Sequence, residues 1–233
     1  SRAKRILKAI CDNAQEARGQ KIALCQDTGL PIVFAHLGEE ARVVGGLQKA
    51  VQAGIRVGYK KGFLRASVIR DPLARGRSGF GPGILHVELV PGRRLSLTVL
   101  PKGFGCENKS RLKMFRPTAD WSQIRDFIVE SVKLAGPDAC PPFVVGVGIG
   151  GAADTACLLA KKALLRKISD RSVTEREKDL KRAIDRLSIG PMGLGGQTTA
   201  LAVFIQTRPT HIAGLPVAVN ISCHALRSAS RVL

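Results

Sequence analysis

The groups in this chain able to do chemistry are six cysteines and a few acidic and basic residues set at breaks in the apolar pattern. Cys11, Cys25, Cys106, Cys140, Cys157 and Cys223 never fall in CxxC spacing, which excludes a zinc ribbon or a ferredoxin-type run. The charged, helix-patterned start Ser1–Gln20 lacks the apolar centre of a secretory leader, so a disulfide framework is not expected. A buried thiol is then the default for each cysteine. Three of them nevertheless stand where a side chain can be turned into a cleft. Cys25 opens Gln26-Asp27-Thr28-Gly29, Cys140 precedes Pro141-Pro142, and Cys223 closes an apolar stretch in Ser222-Cys223-His224. The two prolines should hold Cys140 extended. The wide separation of these three residues rules out a local metal knuckle and permits a site gathered by the fold.

The elements that would position these residues alternate between helical and extended patterns. Ile6, Leu7, Ile10 and Ala14 are spaced for a helix over about Arg2–Ala17, and Gly46–Lys60 reads as a second helix ending at Lys61-Gly62. Ile32-Val33-Phe34 is an apolar run, and Gly76–Gly83 is a loop rich in Gly, Arg and Ser. Ile84–Val90 and Leu95–Leu100, joined by Pro91-Gly92-Arg93-Arg94, predict a hairpin. Lys102–Ser110 is a glycine-rich loop. Trp121–Leu134 and Asp154–Leu165 read as helices, Phe143–Ile149 as a buried strand, Ser169–Arg186 as an exposed loop and helix, and Ala200–Ile205 and Val217–Ile221 as strands. The expected fold class is α+β (mixed α/β), with sheet layers flanked by helices in a single domain over 1–233.

Composition narrows the function classes. Hydrophobic residues make up 45% of the chain, enough for a core, and no stretch approaches the ~20 apolar residues of a membrane span. A soluble, cytoplasmic protein is expected, with no membrane partner. The 37 basic and 18 acidic residues give a formal charge of +19, a field that favours anionic partners. The basic residues are scattered rather than interleaved with aromatics, so no specific nucleic-acid partner is expected.

Six segments, taken in order, resemble the α subunit, or N-terminal catalytic domain, of the class I fumarase and L-tartrate dehydratase family of iron–sulfur hydro-lyases. They are LCQDTG (24–29), LRASVIRDPL (64–73), PKGFGCENKS (101–110), CPPFVVGVGIGG (140–151), GLGGQTTA (193–200) and HIAGLPVAVNISCHALR (211–227). The resemblance spans almost the whole chain and implies further helical sequence before Ser1. It also implies that Cys25, Cys140 and Cys223 hold a [4Fe–4S] cluster, leaving one iron without a protein ligand to act as a Lewis acid. By the same resemblance Asp27 is the general acid that protonates the departing hydroxyl, a role favoured by desolvation. Gln26, Arg65, Gly103, Phe104 and His211 contact a small dicarboxylate, Arg65 as a bidentate partner and the Gly103-Phe104 loop through its backbone N–H groups.

Other readings of the residues stay open. Asp27 equally fits a cap on the Thr28-Gly29 turn, Arg65 a surface salt bridge, and His211 a hydrogen-bonded structural histidine. The family's loop usually reads G-G-G-S or G-A-G-S, where this chain has Gly103-Phe104-Gly105-Cys106; Phe104 and Cys106 are expected to reshape the pocket. A fourth ligand at Cys106 would close the cluster to substrate. In the family the general base comes from a second unit, so the resemblance implies a separate β subunit carrying it and pairing of α units as a homodimer. The rival classes are a non-catalytic cluster-binding or scaffold relative and a basic nucleic-acid binder.

Overall fold

The computed structural model describes residues 1–233. In chain order they form α1 (Arg2–Gln20), β1 (Leu30–Gly38), α2 (Leu47–Lys61), β2 (Val68–Asp71), β3 (Arg75–Gly79), β4 (Ile84–Val90), β5 (Leu95–Lys102), the short α3 (Phe104–Glu107), β6 (Arg111–Phe115) and α4 (Trp121–Ala135). There follow β7 (Phe143–Gly151), α5 (Ala153–Ala163), α6 (Glu175–Asp185), β8 (Ala200–Thr210), β9 (Leu215–Ser222) and β10 (Ala229–Val232). The fold is α+β. Contacts gather the chain into two compact units, one of Asn13–Phe104 with Arg227–Leu233 and one of Ser1–Asp12 with Gly105–Leu226.

The first of these units is built on a sheet ordered β10-β5-β1-β4. β1 is its centre because Pro31–Ala35 are all buried, an apolar run that needs a neighbour on each edge. It pairs antiparallel with β5 and parallel with β4. The hairpin expected between Ile84–Val90 and Leu95–Leu100 is therefore not formed. Both segments are strands, but β1 lies between them, since its backbone groups as well as its side chains must be satisfied. α2 lays Val51, Ile55 and Tyr59 over Val33, and its C-cap at Gly62 lies where the sequence places it. The Gly76–Gly83 segment, read as a loop, instead begins with β3, which pairs with β2 in a two-stranded ribbon. Its residues Arg-Gly-Arg-Ser-Gly have low strand propensity, so pairing rather than pattern makes that strand.

The second unit carries the sheet β6-β9-β7-β8. β7 runs parallel to β8 and antiparallel to β9. Val145 and Val147 pack toward α4 and α6 with Ile128, Val132, Leu180 and Ile184. On the opposite face, Gly146 and Gly148 admit α5 so closely that a Cβ at either would lie 2.0 Å from the carbonyl oxygen of Ala160 or Ala156. Small residues there let helix backbone rest on strand backbone. α6 is less exposed than its charged sequence suggests. Glu177, 1% exposed, accepts from Arg166 Nη1 at 2.6 Å and from the Ile205 amide at 2.7 Å, stitching α6 to β8. No helix is long and apolar enough to cross a membrane.

Candidate functional site

The Cys25-Gln26-Asp27-Thr28-Gly29 turn precedes β1 and is held from several sides. Asp27 Oδ1 accepts from the Gly29 amide at 3.0 Å, and Oδ2 accepts from the Phe104 amide at 2.8 Å. The turn-capping reading of Asp27 is thus part of its environment, and the carboxyl group is oriented at both oxygens. Gly103 packs closely beside it: a Cβ there would meet Asp27 Oδ2 at 3.2 Å, so the carboxyl group would have to give by a few tenths of an ångström. Thr28 is buried, and its Oγ1 accepts from the Arg65 amide at 2.9 Å, tying the Arg65 segment to the turn. The Arg65 side chain itself is exposed. Cys25 is half-buried and directs Sγ–H to Oε1 of the exposed Gln26 at 3.4 Å.

Three residues that sequence reasoning passed over also shape this turn. Tyr59, the single tyrosine, donates its buried hydroxyl to the Gly29 carbonyl at 3.0 Å. Burial pushes its phenol up to about 12, with Arg227 drawing it back in part and Asp27 adding to the rise. Arg227, the last residue of the sixth motif, donates from Nη2 to the Asp27 carbonyl at 2.8 Å. Lys102 is fully buried, with Nζ 3.4 Å from the Gly103 carbonyl. The signal for the last two was their place inside the motifs; for Tyr59 it was only its spacing on the buried face of α2.

The other two expected ligands lie in the second unit. Cys140 precedes β7 and Cys223 follows β9; because Val144 is opposite Ser222 in this antiparallel pair, both thiols come from the same end of adjacent strands. His224 joins the two segments by donating Nδ1–H to the Cys140 carbonyl at 3.2 Å. Cys140 is not extended, as the following prolines suggested, but left-handed at φ 53 and ψ 66. Its amide closes a 3-10 turn onto the Pro137 carbonyl at 3.0 Å, and these two anchors outweigh the local preference. Cys106 is 4% exposed in the core, its Sγ–H on the Ala139 carbonyl at 3.3 Å. His211 sits exposed in the β8–β9 turn. Its Nδ1 accepts from the Ala213 amide at 3.2 Å, which leaves Nε2–H outward as a donor.

Comparison with known proteins bears on these observations. The family model for fumarate hydratase (Fumerase) matches residues 1–232. The chain belongs to that family. A Methanocaldococcus jannaschii protein, provisionally named L(+)-tartrate dehydratase subunit alpha, is 40% identical over 238 residues, covering 97% of this chain and 83% of its own length. The L(+)-tartrate dehydratase subunit alpha of Escherichia coli K12 is 31% identical over 235 residues, 97% of this chain and 78% of its own length; that of strain UTI89 is 32% identical over the same length.

In this fumarate hydratase family member, the donor chemistry at Cys140 and Cys223 fits a thiolate-held group. Both are half-buried, neither is in a disulfide, and they issue from one end of a strand pair. No three His, Cys, Asp or Glu side chains crowd closely enough to hold a single metal ion. Ligands of one ion share a shell of bonds about 2.3 Å long, whereas a cube of irons spreads its thiolates over separate corners. Cys25 belongs to the other unit, with Gln26, Asp27, Arg65, Gly103 and Phe104. In that unit an open cleft of about 810 Å³ is lined by Asp27 and Phe104 together with Arg56, Arg70 and Arg75. Arg65 is not among its lining residues. Phe104, 46% exposed, adds an aromatic wall to the cleft.

Proposed function

We propose that the chain is the α subunit of an iron–sulfur hydro-lyase that hydrates and dehydrates a small dicarboxylate, L-tartrate or fumarate/malate. The observation that carries this reading is Asp27: its carboxyl group, fixed by the Gly29 and Phe104 amides, stands on the wall of a cleft bearing three guanidiniums. Cationic walls suit a dianionic substrate, and an oriented carboxyl group suits proton transfer to or from an adjacent oxygen. The names of the relatives from M. jannaschii and E. coli support a tartrate dehydratase assignment.

Cys25, Cys140 and Cys223 would hold the [4Fe–4S] cluster. When bound, the cluster supplies a Lewis-acidic iron with an open coordination position. In the dehydration direction, Asp27 gives its carboxyl proton to the departing hydroxyl, which leaves as water. Gln26 and Arg65 flank the same turn and bind substrate carboxylate; His211 donates from Nε2. The proton lost from the neighbouring carbon passes to a base on a separate β subunit, and two α subunits pair in the assembly.

Anaerobic reconstitution with iron and sulfide, with and without the partner subunit, tests this reading. Absorbance near ~400 nm should develop in the chain alone and vanish on Cys→Ser replacement at any of the three positions. Turnover of tartrate or malate should need the partner. Full iron loading of Cys223→Ser, or full turnover by the chain alone, would remove the assignment.

A further inference from the structure

The three guanidiniums of the Asp27 cleft serve in the reading above only as a cationic wall, and none of them is given a contact of its own. Arg56 on α2, Arg70 on β2 and Arg75 on β3 all line it. Arg56 and Arg70 also line a second cavity of about 580 Å³, whose wall adds Lys60 and Arg77 and contains no acid. None of these five side chains takes part in a salt bridge. Arg125 and Arg166, by contrast, are paired, with Asp179 and with Asp170 and Glu177. The nearest carboxylate in the ribbon, Asp71, spends Oδ1 on the Leu73 and Ala74 amides, which hold it below the usual carboxylate range. Gln52 is likewise occupied, clamping both the amide and the carbonyl of Gly83 at 2.8 and 2.9 Å. Its role is to fix the wall.

We propose that Arg56 and Arg70, assisted by Arg75, form a carboxylate-binding subsite of the Asp27 cleft that selects substrates carrying a second carboxylate. Each guanidinium offers a planar pair of donors matched to the two oxygens of a carboxylate. Unmatched cations along a concave wall focus the field and raise the local concentration of anions. Val68, Ile69 and Ile84 also line the cleft, an apolar surface suited to a short carbon skeleton. The subsite rests on the hydro-lyase reading for its substrate class and turns a general cationic wall into named contacts.

Titration of the chain with succinate, a four-carbon dicarboxylate that cannot be hydrated, tests the subsite against butyrate, its monocarboxylate counterpart. The wild-type chain should prefer succinate by about tenfold or more, as expected for an added bidentate charge-assisted contact. Arg56→Gln/Arg70→Gln should erase that preference. Lys113→Gln/Arg116→Gln, in the other unit, lowers the net charge equally and should retain it. Equal loss in both variants assigns the effect to the general field and overturns the proposal, as does a retained preference in Arg56→Gln/Arg70→Gln. Arg56→Lys/Arg70→Lys keeps charge without the planar fork and should fall between wild type and the glutamine variant; a wild-type preference there overturns the fork argument. Assay of the cluster-loaded assembly separates the two readings. Unchanged dicarboxylate KM in the glutamine variant sinks the subsite alone. Succinate selectivity that depends on these arginines, in a wild-type assembly that turns over no dicarboxylate, keeps the subsite and sinks the hydro-lyase reading.

Discussion

The backbone N–H of Phe104 donates to Oδ2 of Asp27 at 2.8 Å across a long sequence separation, so the loop after β5 aims the carboxyl group of the turn before β1. The bond uses the main chain, so it does not depend on the Phe104 side chain. Adjacent Gly103 supplies the clearance, since a Cβ there would stand 3.2 Å from the same oxygen. Residues that β1 and β5 hold in antiparallel register, Leu30 opposite Lys102, bring the two segments together.

Gly103→Ala should therefore displace Asp27 while leaving the thiols untouched. The expected result is a fall in kcat of roughly ten- to a hundredfold, the scale of a sub-ångström to one-ångström misplacement, with the cluster absorbance near ~400 nm unchanged. Wild-type kcat in that variant would show that the orientation of Asp27 is not used. Asp27→Asn should lose on the order of 10²–10⁴ in kcat, again with full iron content.

Tyr59 links the stability of the turn to alkaline pH. Its phenol ionises at about 12 in the folded chain against 10 when unfolded, so folding favours the protonated form. That contribution is whole below pH 10 and is lost as pH climbs to 12, a change of about 2–3 kcal/mol at ~1.4 kcal/mol per unit. Tyr59→Phe should be less stable by about 1 kcal/mol near neutrality, for one lost hydrogen bond, and should show a shallower decline in denaturant midpoint across the same alkaline range. Parallel declines in both proteins would reject the assignment.

Cys106 should behave as packing rather than as a ligand. Cys106→Ala removes the thiol bonded to Ala139 and is expected to cost about 1 kcal/mol without reducing iron per chain. A loss of iron equal to that of Cys140→Ser would contradict this.

Glu177→Ala leaves the Arg166 guanidinium without one of its carboxylates and the Ile205 amide without its acceptor. A destabilisation of about 3 kcal/mol follows from breaking a buried, hydrogen-bonded pair, readable as a lower urea midpoint. A change below about 0.5 kcal/mol, the range of ordinary surface substitutions, would mean the pair is not formed in solution.

The sequence determined the helices α1, α2, α4 and α5 and the strands β1, β7, β8 and β9, because apolar periodicity and terminal glycines are local signals that chain neighbours can express. It also determined the family, since six short motifs survive as contiguous strings. What only the tertiary structure decided was partnership. β4 and β5 each pair with β1 and not with each other, β3 is a strand because β2 lies beside it, and Cys140 turns left-handed because Pro137 and His224 hold it. The hydrogen bonds of Tyr59 and Arg227, and the place of Arg70 on the cleft wall, were equally hidden. A hydrogen bond or a cavity wall is a property of two segments at once, and its free energy appears only when residues remote in sequence are brought within a few ångströms.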